Sequence, residues 1–360
     1  MKKLLALVLA LAMALCFASC GSEDETAVDP EDTSTEISLI VDGDIDDGGF
    51  NQITWECIQN FCTERGITCG YFIPKKTDDE AIEKTVHKAI KNGGKLIIFA
   101  GSTFETAVYD LQKEDEKTCF YLIDGVPHDE DNNYDQTDNS IGVLFAEEEA
   151  GYLAGYAAVK DGYKKLGFMG GEKLPSVKRY GYGFLQGVSA AASEQGIEKK
   201  IQIKYTYTGT FSASNDIMKQ ASEWYGDGTE VIFSCGGGIV KSVIQAAETA
   251  GGKVIGVDVD QSGLSECVIT SAKKGIDSAL DDVLKEYARG NFIGNNVFKY
   301  SASNGGVGLE IDNARFNTFD QAQYDAIFEQ IKEGTIKIKK DTEVDKIKDL
   351  VNKKIKIEKE

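Results

Sequence analysis

The sequence predicts an α/β protein of two doubly wound lobes, each built on a parallel sheet, joined by a hinge with a ligand cleft between them. Three observations predict this class. From Ile37 onward, short apolar runs alternate with segments of helical period, which is the strand-helix-strand order of a parallel sheet. Runs such as KLIIFA and EVIFS are almost continuously hydrophobic, as in sheets covered by helices on both faces. The alternation pauses at the acidic stretch 127–139 and then resumes, which indicates two lobes.

The elements of the first series follow from these periods. The predicted strands are Ile37–Asp42, Gly70–Ile73, Lys95–Ala100, Cys119–Ile123 and Ile141–Phe145. The predicted helices are Phe50–Arg65, Asp79–Asn92, Phe104–Lys113 and Ala146–Val159. We expect the first lobe to contain residues 37–160 and about 272–295.

The second series repeats the pattern. Its predicted strands are Lys165–Met169, Lys200–Tyr207, Glu230–Ser234, Lys253–Val257 and Val268–Ser271, and its helices are Val177–Gln195, Asn215–Trp224 and Ile239–Ala250. The C-terminal stretch 318–360 predicts a helix, a short apolar run at Thr335–Ile338 and a final helix rich in Lys and Glu. We expect the second lobe to contain residues 161–271 and about 296–360.

The N-terminus has the order of an export signal. Lys2 and Lys3 precede the apolar run Leu4–Leu15, which is too short to span a bilayer, and small residues follow it. The sequence FASCG then resembles the lipobox of bacterial lipoproteins, in which the cysteine is lipidated. We therefore expect a signal peptide at 1–19, a lipidated Cys20 and a disordered acidic tether over residues 20–36. An ordinary secretory signal with an incidental Cys20 remains the alternative.

Composition excludes several classes of protein. The 360 residues carry a formal net charge of −20, so the cationic stripe of a nucleic-acid-binding protein is missing. After Cys16 and Cys20, six cysteines remain, and most of them sit in apolar patterns that favour reduced core residues over disulfides. No CxxC occurs and the two histidines lack ligand-spaced partners, so we expect no metal and no cofactor.

Polar residues and glycines collect at the predicted strand ends, which is where ligands bind in such folds. The residues at these ends are Asp42, Gly101, Asp124, Gly170–Gly171, Gly209–Phe211, Gly236–Gly238 and Asp258. Carboxylates, glycines and aromatics together favour a neutral polar ring compound, since an anionic ligand would require Arg or Lys. Gly237, within the run of three glycines, is a candidate contact because its backbone can approach a ligand closely.

The motifs typical of phosphate binding, hydrolysis and calcium binding are either absent or wrongly spaced. Lys241 and Ser242 follow Gly236–Gly238 too early for a phosphate-binding loop, and no GxSxG or HExxH motif occurs. The loop DGDIDDGGF resembles a calcium loop, but Ile53 stands where a calcium loop would place Glu. The loop instead predicts a carboxylate that reaches a ligand, followed by a helix whose Phe50 and Asn51 face the cleft.

From about Ile37 to beyond Leu309 the chain resembles the basic membrane protein family, the purine nucleoside receptor lipoproteins of ABC importers. The resemblance depends on the order and spacing of several motifs. They are Asp46–Gln52 (with Gly49 for the family's Ser), Phe145–Gly155, Gly167–Gly171, Pro175, Gly183–Val188, Tyr207–Phe211, Gly256–Gln261 and Thr270–Lys274. Two departures concern the pocket: the loop before Phe50 is one residue shorter than is common, and Ser212–Asn215 replace the family's acidic residue and lysine.

The resemblance implies a type I periplasmic binding protein fold that clamps a nucleoside, with a purine base, between its lobes. The base would be sandwiched between Phe50 and Phe211, with Asn51 and Asp42 at the base edge, although Asp44 remains the alternative to Asp42. Asp258 matches the ribose-binding carboxylate. The other implied pocket residues are Lys274 and Asp124.

The resemblance also implies partners and a location. We expect a monomer, held on the extracytoplasmic face of the cell membrane through its lipid only, that hands the nucleoside to ABC permease subunits and is not an enzyme. A receptor of the same fold for a sugar or an autoinducer is the first alternative. A nucleoside hydrolase using Asp258 and Asp124 is the second.

Overall fold

The computed structural model describes residues 34–197 and 201–359. The expected signal peptide, Cys20 and the expected tether up to residue 33 lie outside these residues. In chain order the strands are β1 (Ile37–Val41), β2 (Cys69–Phe72), β3 (Leu96–Ala100), β4 (Cys119–Ile123), β5 (Ser140–Phe145), β6 (Lys165–Gly170), β7 (Ile201–Tyr207), β8 (Val231–Cys235), β9 (Lys253–Asp258), β10 (Val268–Lys274), β11 (Asn296–Tyr300), β12 (Val307–Leu309) and β13 (Ile355–Lys359). The α-helices are α1 (Phe50–Arg65), α2 (Asp79–Lys91), α3 (Glu105–Glu114), α4 (Glu147–Lys160), α5 (Pro175–Glu194), α6 (Asn215–Gly226), α7 (Ile239–Ala250), α8 (Ile276–Ala288) and α9 (Gln321–Lys332).

The strands form two sheets, one in each lobe. The first sheet has the order β11-β5-β4-β3-β1-β2, and all its pairings are parallel. The second has the order β12-β10-β9-β8-β6-β7-β13, with only β12 antiparallel to its neighbour. Every residue of β1, β3 and β8 is buried, because helices cover both faces of the sheets. The carboxyl ends of the central strands point into the space between the lobes.

The chain passes between the sheets three times, and two of the crossings differ from the expected ones. Helix α4 packs against α5 and beside β10 and β12, so it lies with the second lobe, and the first crossing falls near Phe145 instead of residue 160. Strand β11 pairs with β5, so the first lobe extends to Tyr300, beyond the expected boundary near residue 295. Strand β11 had no separate signal in the sequence, because its five residues NVFKY mix polar and apolar side chains and none of them is buried.

The predicted C-terminal helix rich in Lys and Glu is wrong. Residues 355–359 form β13, which pairs in parallel with β7 from Ile355 opposite Ile201 onward. Ile355 is buried while Lys356 is exposed, which is the two-residue alternation of a strand at the sheet edge. The run at 335–338 carries no regular element.

Helices α4 and α5 approach each other at backbone distance. A Cβ atom added to Gly187 would lie 2.0 Å from the carbonyl oxygen of Tyr152, and one added to Gly155 would lie 2.2 Å from that of Phe184. Gly151 and Gly183 make equally close approaches. No larger residue fits at these four positions, so the glycines of both helices fix the pair as one packed block.

Candidate functional site

A cavity of about 550 Å³, partly open to solvent, lies where the carboxyl ends of the two sheets face each other. All eight residues predicted from the sequence line it. They are Asp42, Phe50, Asn51, Asp124, Phe211, Gly237, Asp258 and Lys274. Further lining residues that the sequence did not single out include Asp47, Ser102, Ser176 and Tyr180.

Asp42 follows β1 directly and lines the cavity, whereas Asp44 does not. The hydroxyl of Thr103 donates a 2.8 Å hydrogen bond to Asp42 Oδ2. Burial raises the pKa of the Asp42 carboxyl, and the Thr103 bond opposes this shift. Asp44 instead accepts a bond from the backbone N–H of Asp46 at 3.1 Å, so it organises the loop. Of the two carboxylates, Asp42 is therefore the one at the cavity wall, and its contact with a ligand stays a prediction.

Asp47 holds the start of helix α1. Its carboxylate accepts backbone N–H bonds from Gly49 at 2.7 Å, Asn51 at 3.1 Å and Gln52 at 3.2 Å. Burial raises the pKa of Asp47 to about 6, although these three N–H groups favour the ionised form. The acidic loop before Phe50 thus has a structural role as well, because it satisfies free N–H groups of the first helical turn.

Two aromatic rings reach the cavity from opposite lobes. Phe50 is the first residue of α1 in the first lobe, and Phe211 lies in the loop after β7 in the second. Both rings are partly exposed, and both also pack against the hydrophobic core. A Cβ atom on Gly171 would lie 2.5 Å from a ring carbon of Phe211, so this glycine, directly after β6, makes room for the ring. Asn51, next to Phe50, donates its side-chain amide to the carbonyl oxygen of Asp44 at 3.2 Å.

A buried ionic centre occupies the floor of the cavity. Lys274, at the end of β10, contacts Asp124 Oδ2 of the first lobe and lies 3.6 Å from Asp258 Oδ1 of the second. Glu147 Oε1, at the start of α4, is 3.5 Å from the same ammonium. The Lys274 side chain is only 3% exposed. This pairing joins the two lobes through one cation.

The protonation of this centre is set by burial and by neighbouring charge. Burial alone would lower the pKa of Lys274, but Asp124, Asp258 and Glu147 more than compensate and hold it above its ordinary value. Burial raises the pKa of Asp124 to about 6, against the opposing effect of Lys274. Burial also raises the pKa of Asp258. Lys274 is therefore charged at neutral pH, and it is fully engaged by carboxylates.

Asp124 and Asp258 share an unusual backbone conformation. Their φ angles are 65° and 67°, in the left-handed region that residues other than glycine rarely adopt. Each stands at the carboxyl end of a strand, one in each lobe. Asp124 Oδ1 is buried with no hydrogen-bond partner among the described residues. Such strained, incompletely satisfied positions are typical of ligand sites.

Several site residues were missed from the sequence. Tyr180, inside α5, donates its hydroxyl to Asp258 Oδ1 at 3.2 Å and is 2% exposed, but an interior helix tyrosine gives no signal. Arg179 donates to Glu147 Oε2 at 2.5 Å and so supports the ionic centre from behind. Glu147 lies within the Phe145–Gly155 motif and could have been selected on that ground.

Residues 34–197 and 201–359 show no sign of a metal site or of a membrane-spanning helix. No group of His, Cys, Asp and Glu side chains there is arranged to hold a metal ion. None of the helices in the same ranges has the length and apolar character needed to cross a bilayer.

Comparison with known proteins gives a family match over most of the chain. A family model described as "ABC transporter substrate-binding protein PnrA-like" matches residues 34–348. The "ABC transporter nucleoside-binding protein BmpA" of Lactococcus lactis is 28% identical over 331 residues, which cover 85% of this chain and 90% of the relative. "Basic membrane protein B" of Borreliella burgdorferi is 30% identical over 315 residues, covering 82% and 84%. The resemblance drawn from the sequence motifs is confirmed.

Solved structures agree on the architecture. A solute-binding protein of an ABC transporter system from Aeropyrum pernix K1 superposes with a TM-score of 0.71 at 20% identity, over 84% of this chain and 87% of that one. A periplasmic binding protein/LacI transcriptional regulator from Alkaliphilus metalliredigens, complexed with D-xylulofuranose, gives 0.58 at 14% identity, over 79% and 100%. At such identities the likeness shows the fold alone. The predicted two-lobed, type I periplasmic binding protein architecture is confirmed.

Proposed function

The chain belongs to the PnrA-like family of ABC transporter substrate-binding proteins, and from this premise we propose that it binds a purine nucleoside in the cavity between its lobes. It then delivers the nucleoside intact to the permease of an ABC importer. The observation that carries the proposal is the cavity itself, in which one aromatic ring from each lobe stands beside buried carboxylates. The name of the Lactococcus lactis relative, a nucleoside-binding protein, supports the same ligand class.

The two rings suit a flat base. Phe50 and Phe211 reach the cavity from opposite lobes, so a base that enters between them is stacked when the lobes close. Stacking on an aromatic side chain contributes about 1–3 kcal/mol per base and tolerates different bases. Affinity from this source depends on both lobes, so it couples binding to closure.

The ionic centre suits a ribose and disfavours a phosphate. Asp124 and Asp258 offer acceptor oxygens to adjacent sugar hydroxyls, and Asp124 Oδ1 has no protein partner within the described residues. Among the described residues that line the cavity, Lys274 is the only lysine, and it is already engaged by carboxylates from both lobes. Along the described part of the cavity wall a phosphate would meet several carboxylates and no cation free to pair with it, so nucleotides should bind far more weakly than nucleosides.

Contacts across the mouth of the cleft support a clamp mechanism. The side-chain amide of Gln261 in the second lobe donates to the carbonyl oxygen of Gly48 in the first at 2.8 Å. Lys241 donates to the carbonyl oxygen of Asp46. Closure of the lobes around the solute by hinge motion then buries the ligand and forms these contacts. The closed shape is what a permease would recognise.

The proposal includes the location of the protein. Lys2, Lys3 and the apolar run before Cys20 support export, and lipidation of Cys20 would hold the domain on the outer face of the membrane. The test is to express the full chain and its Cys20→Ala variant in a bacterial host. The wild-type chain should fractionate with membranes and the variant should appear in soluble fractions. Equal soluble yield from both would contradict the anchor.

Calorimetric titration tests the ligand. The chain from residue 21 onward is unfolded and refolded to strip bound solute, then titrated with guanosine, inosine, adenosine, cytidine and ribose. We expect purine nucleosides to bind and ribose to bind weakly. Binding of ribose alone would favour the sugar-receptor alternative. Chromatography of the mixtures should show intact nucleoside, and release of free base would establish a hydrolase.

A matched pair of variants tests the cavity. Phe211→Ala should weaken nucleoside binding about 5- to 150-fold, which is the equivalent of the stacking energy. Phe298→Ala removes an aromatic ring of the edge strand β11 that is 42% exposed and does not line the cavity, so it should leave affinity unchanged. Equal affinity of the two variants would refute the role of Phe211.

A further inference from the structure

A buried serine hydroxyl lies at the first-lobe side of the cavity. Ser102 lines the cavity, is only 9% exposed, and its Oγ has no hydrogen-bond partner within the described residues. It begins the short turn Ser102–Phe104 that follows β3. Buried polar groups are nearly always hydrogen-bonded, so an unpartnered hydroxyl in a cavity wall points to a ligand atom as its partner.

The position of this hydroxyl beside Asp42 follows from the sheet. Strands β1 and β3 are neighbours, and Val41 pairs with Ala100, so the residues that follow each strand leave the sheet side by side. The Thr103 hydroxyl donates to Asp42 Oδ2 at 2.8 Å, which shows that the turn after β3 reaches the carboxylate. Thr103 binds Oδ2 of this carboxylate, and Asp42 itself lines the cavity. The cavity wall therefore presents a carboxylate oxygen and a hydroxyl from adjacent strand ends.

These two groups differ in what they can offer. An ionised carboxylate only accepts hydrogen bonds, whereas a serine hydroxyl can donate one. A 6-oxopurine such as hypoxanthine or guanine shows a carbonyl oxygen next to an N–H group along this edge. Adenine shows the opposite order, an amino group next to a ring nitrogen with a lone pair. The lone pair would face the Asp42 carboxylate, which repels it.

We propose that Ser102 and Asp42, with Thr103 orienting the carboxylate, select nucleosides whose base carries a carbonyl oxygen beside an N–H group, and so favour inosine and guanosine over adenosine. This inference rests on the proposed function. The Ser102 hydroxyl donates to the carbonyl oxygen at position 6, and the Asp42 carboxylate accepts from the neighbouring N–H. Ser102 is thus a specificity-determining residue, and Thr103 is a positioning residue.

Inosine and adenosine make the sharpest test, because they differ only along this edge of the base. Both are titrated calorimetrically at pH 7.5 into the wild-type chain from residue 21 onward and into Ser102→Ala. Wild type should prefer inosine by about 10-fold or more, and Ser102→Ala should lose about 5- to 10-fold for inosine and less than about 2-fold for adenosine. Thr103→Val, which frees Asp42 Oδ2, should also lower the preference for inosine.

A second serine provides the control. Ser234 Oγ, in β8, is likewise buried without a partner among the described residues, but Ser234 does not line the cavity. Ser234→Ala should leave both affinities unchanged. Nucleoside binding without a preference for inosine, or equal losses for both nucleosides in Ser102→Ala, would overturn this inference and leave the proposed function standing. Failure of every nucleoside to bind wild type would overturn both.

Discussion

Replacing Lys274 by methionine should destabilise the ligand-free protein strongly and in a pH-dependent way. The ammonium is 3% exposed and is held by Asp124, Asp258 and Glu147. Methionine keeps most of the length of the side chain and removes the ammonium group, with its charge and its N–H donors. The variant would leave three buried carboxylates with Arg179 as the remaining cation of this centre, so the cost comes from uncompensated charge and not from lost volume.

The magnitude follows from the distances. At an effective dielectric constant near 20, two unit charges about 3.5 Å apart attract each other by roughly 5 kcal/mol. The contacts of Lys274 with Glu147 at 3.5 Å and Asp258 at 3.6 Å are of this kind, and that with Asp124 is closer. Desolvation of the buried ammonium offsets much of this attraction. Removal of one partner from a buried ion pair costs about 3–5 kcal/mol, which we expect here.

Urea unfolding at pH 8 and pH 5.5, followed by tryptophan fluorescence, measures this cost. In the variant the carboxyl groups of Asp124 and Asp258 gain protons more readily, because the cation that favoured their ionised form is gone. Their raised pKa values mean that the penalty is full at pH 8 and decreases as the pH falls. The difference in unfolding free energy between wild type and variant should therefore shrink at pH 5.5.

Lys332→Met is the matched control. Lys332 lies 3.2 Å from Glu329 on α9, with both side chains about half exposed, so its loss should cost less than about 0.5 kcal/mol. The reasoning is refuted if Lys274→Met costs no more than this control at pH 8. An equal cost at both pH values would show that packing, and not charge, accounts for the effect.

Two further predictions concern stability. Gly187→Ala should destabilise the protein by about 1–3 kcal/mol, because its Cβ would lie 2.0 Å from the Tyr152 carbonyl oxygen. Gly226→Ala is the control and should be neutral, because a Cβ there would meet nothing within 4 Å. Equal urea midpoints of the two variants would contradict the close helix contact. Burial raises the pKa of Glu148 from 4.5 to about 7, so its contribution to stability is complete below pH 4.5 and is lost as the pH rises through 7, a change on the order of 3 kcal/mol. Glu148→Gln should therefore flatten the fall in stability between pH 5 and pH 8, and an unaltered slope would count against this pKa.

Positions at strand ends were predictable from the sequence, and contacts between distant side chains were not. Asp42, Asp124 and Asp258 each follow an apolar run, and the carboxyl ends of parallel strands face one cleft, so their presence at the cavity followed from the pattern. Phe211 also stands at a predicted strand end, but its stacking role came from the family resemblance, as did Lys274, since a strand lysine has no local signature. All five line the cavity, and their binding roles stay predictions.

The residues and elements that the sequence did not predict correctly share a physical cause. Tyr180 reaches Asp258 from inside a helix, and Thr103 reaches Asp42 from 61 residues away, so only the packed fold brings the partners together. Strand β13 was mistaken for a helix because the spacing of its charges also fits a helix. Its strand conformation depends on pairing with β7, which is about 150 residues away in the sequence. The observed lobe boundaries differ from the predicted ones for a similar reason, because the packing of α4 against α5 places α4 in the second lobe.

The backbone contact between α4 and α5 has a mechanical consequence. Because only glycine hydrogens separate the two backbones, the helices cannot slide or tilt against each other without steric clash. They therefore move as one rigid body within the second lobe. Glu147 is the first residue of α4, and its Oε1 lies 3.5 Å from the Lys274 ammonium on the cavity floor. Any hinge bending is then confined to the three connecting segments between the lobes. A solute that shifts Lys274 therefore shifts α4 and α5 together, along with the outer surface that these helices form.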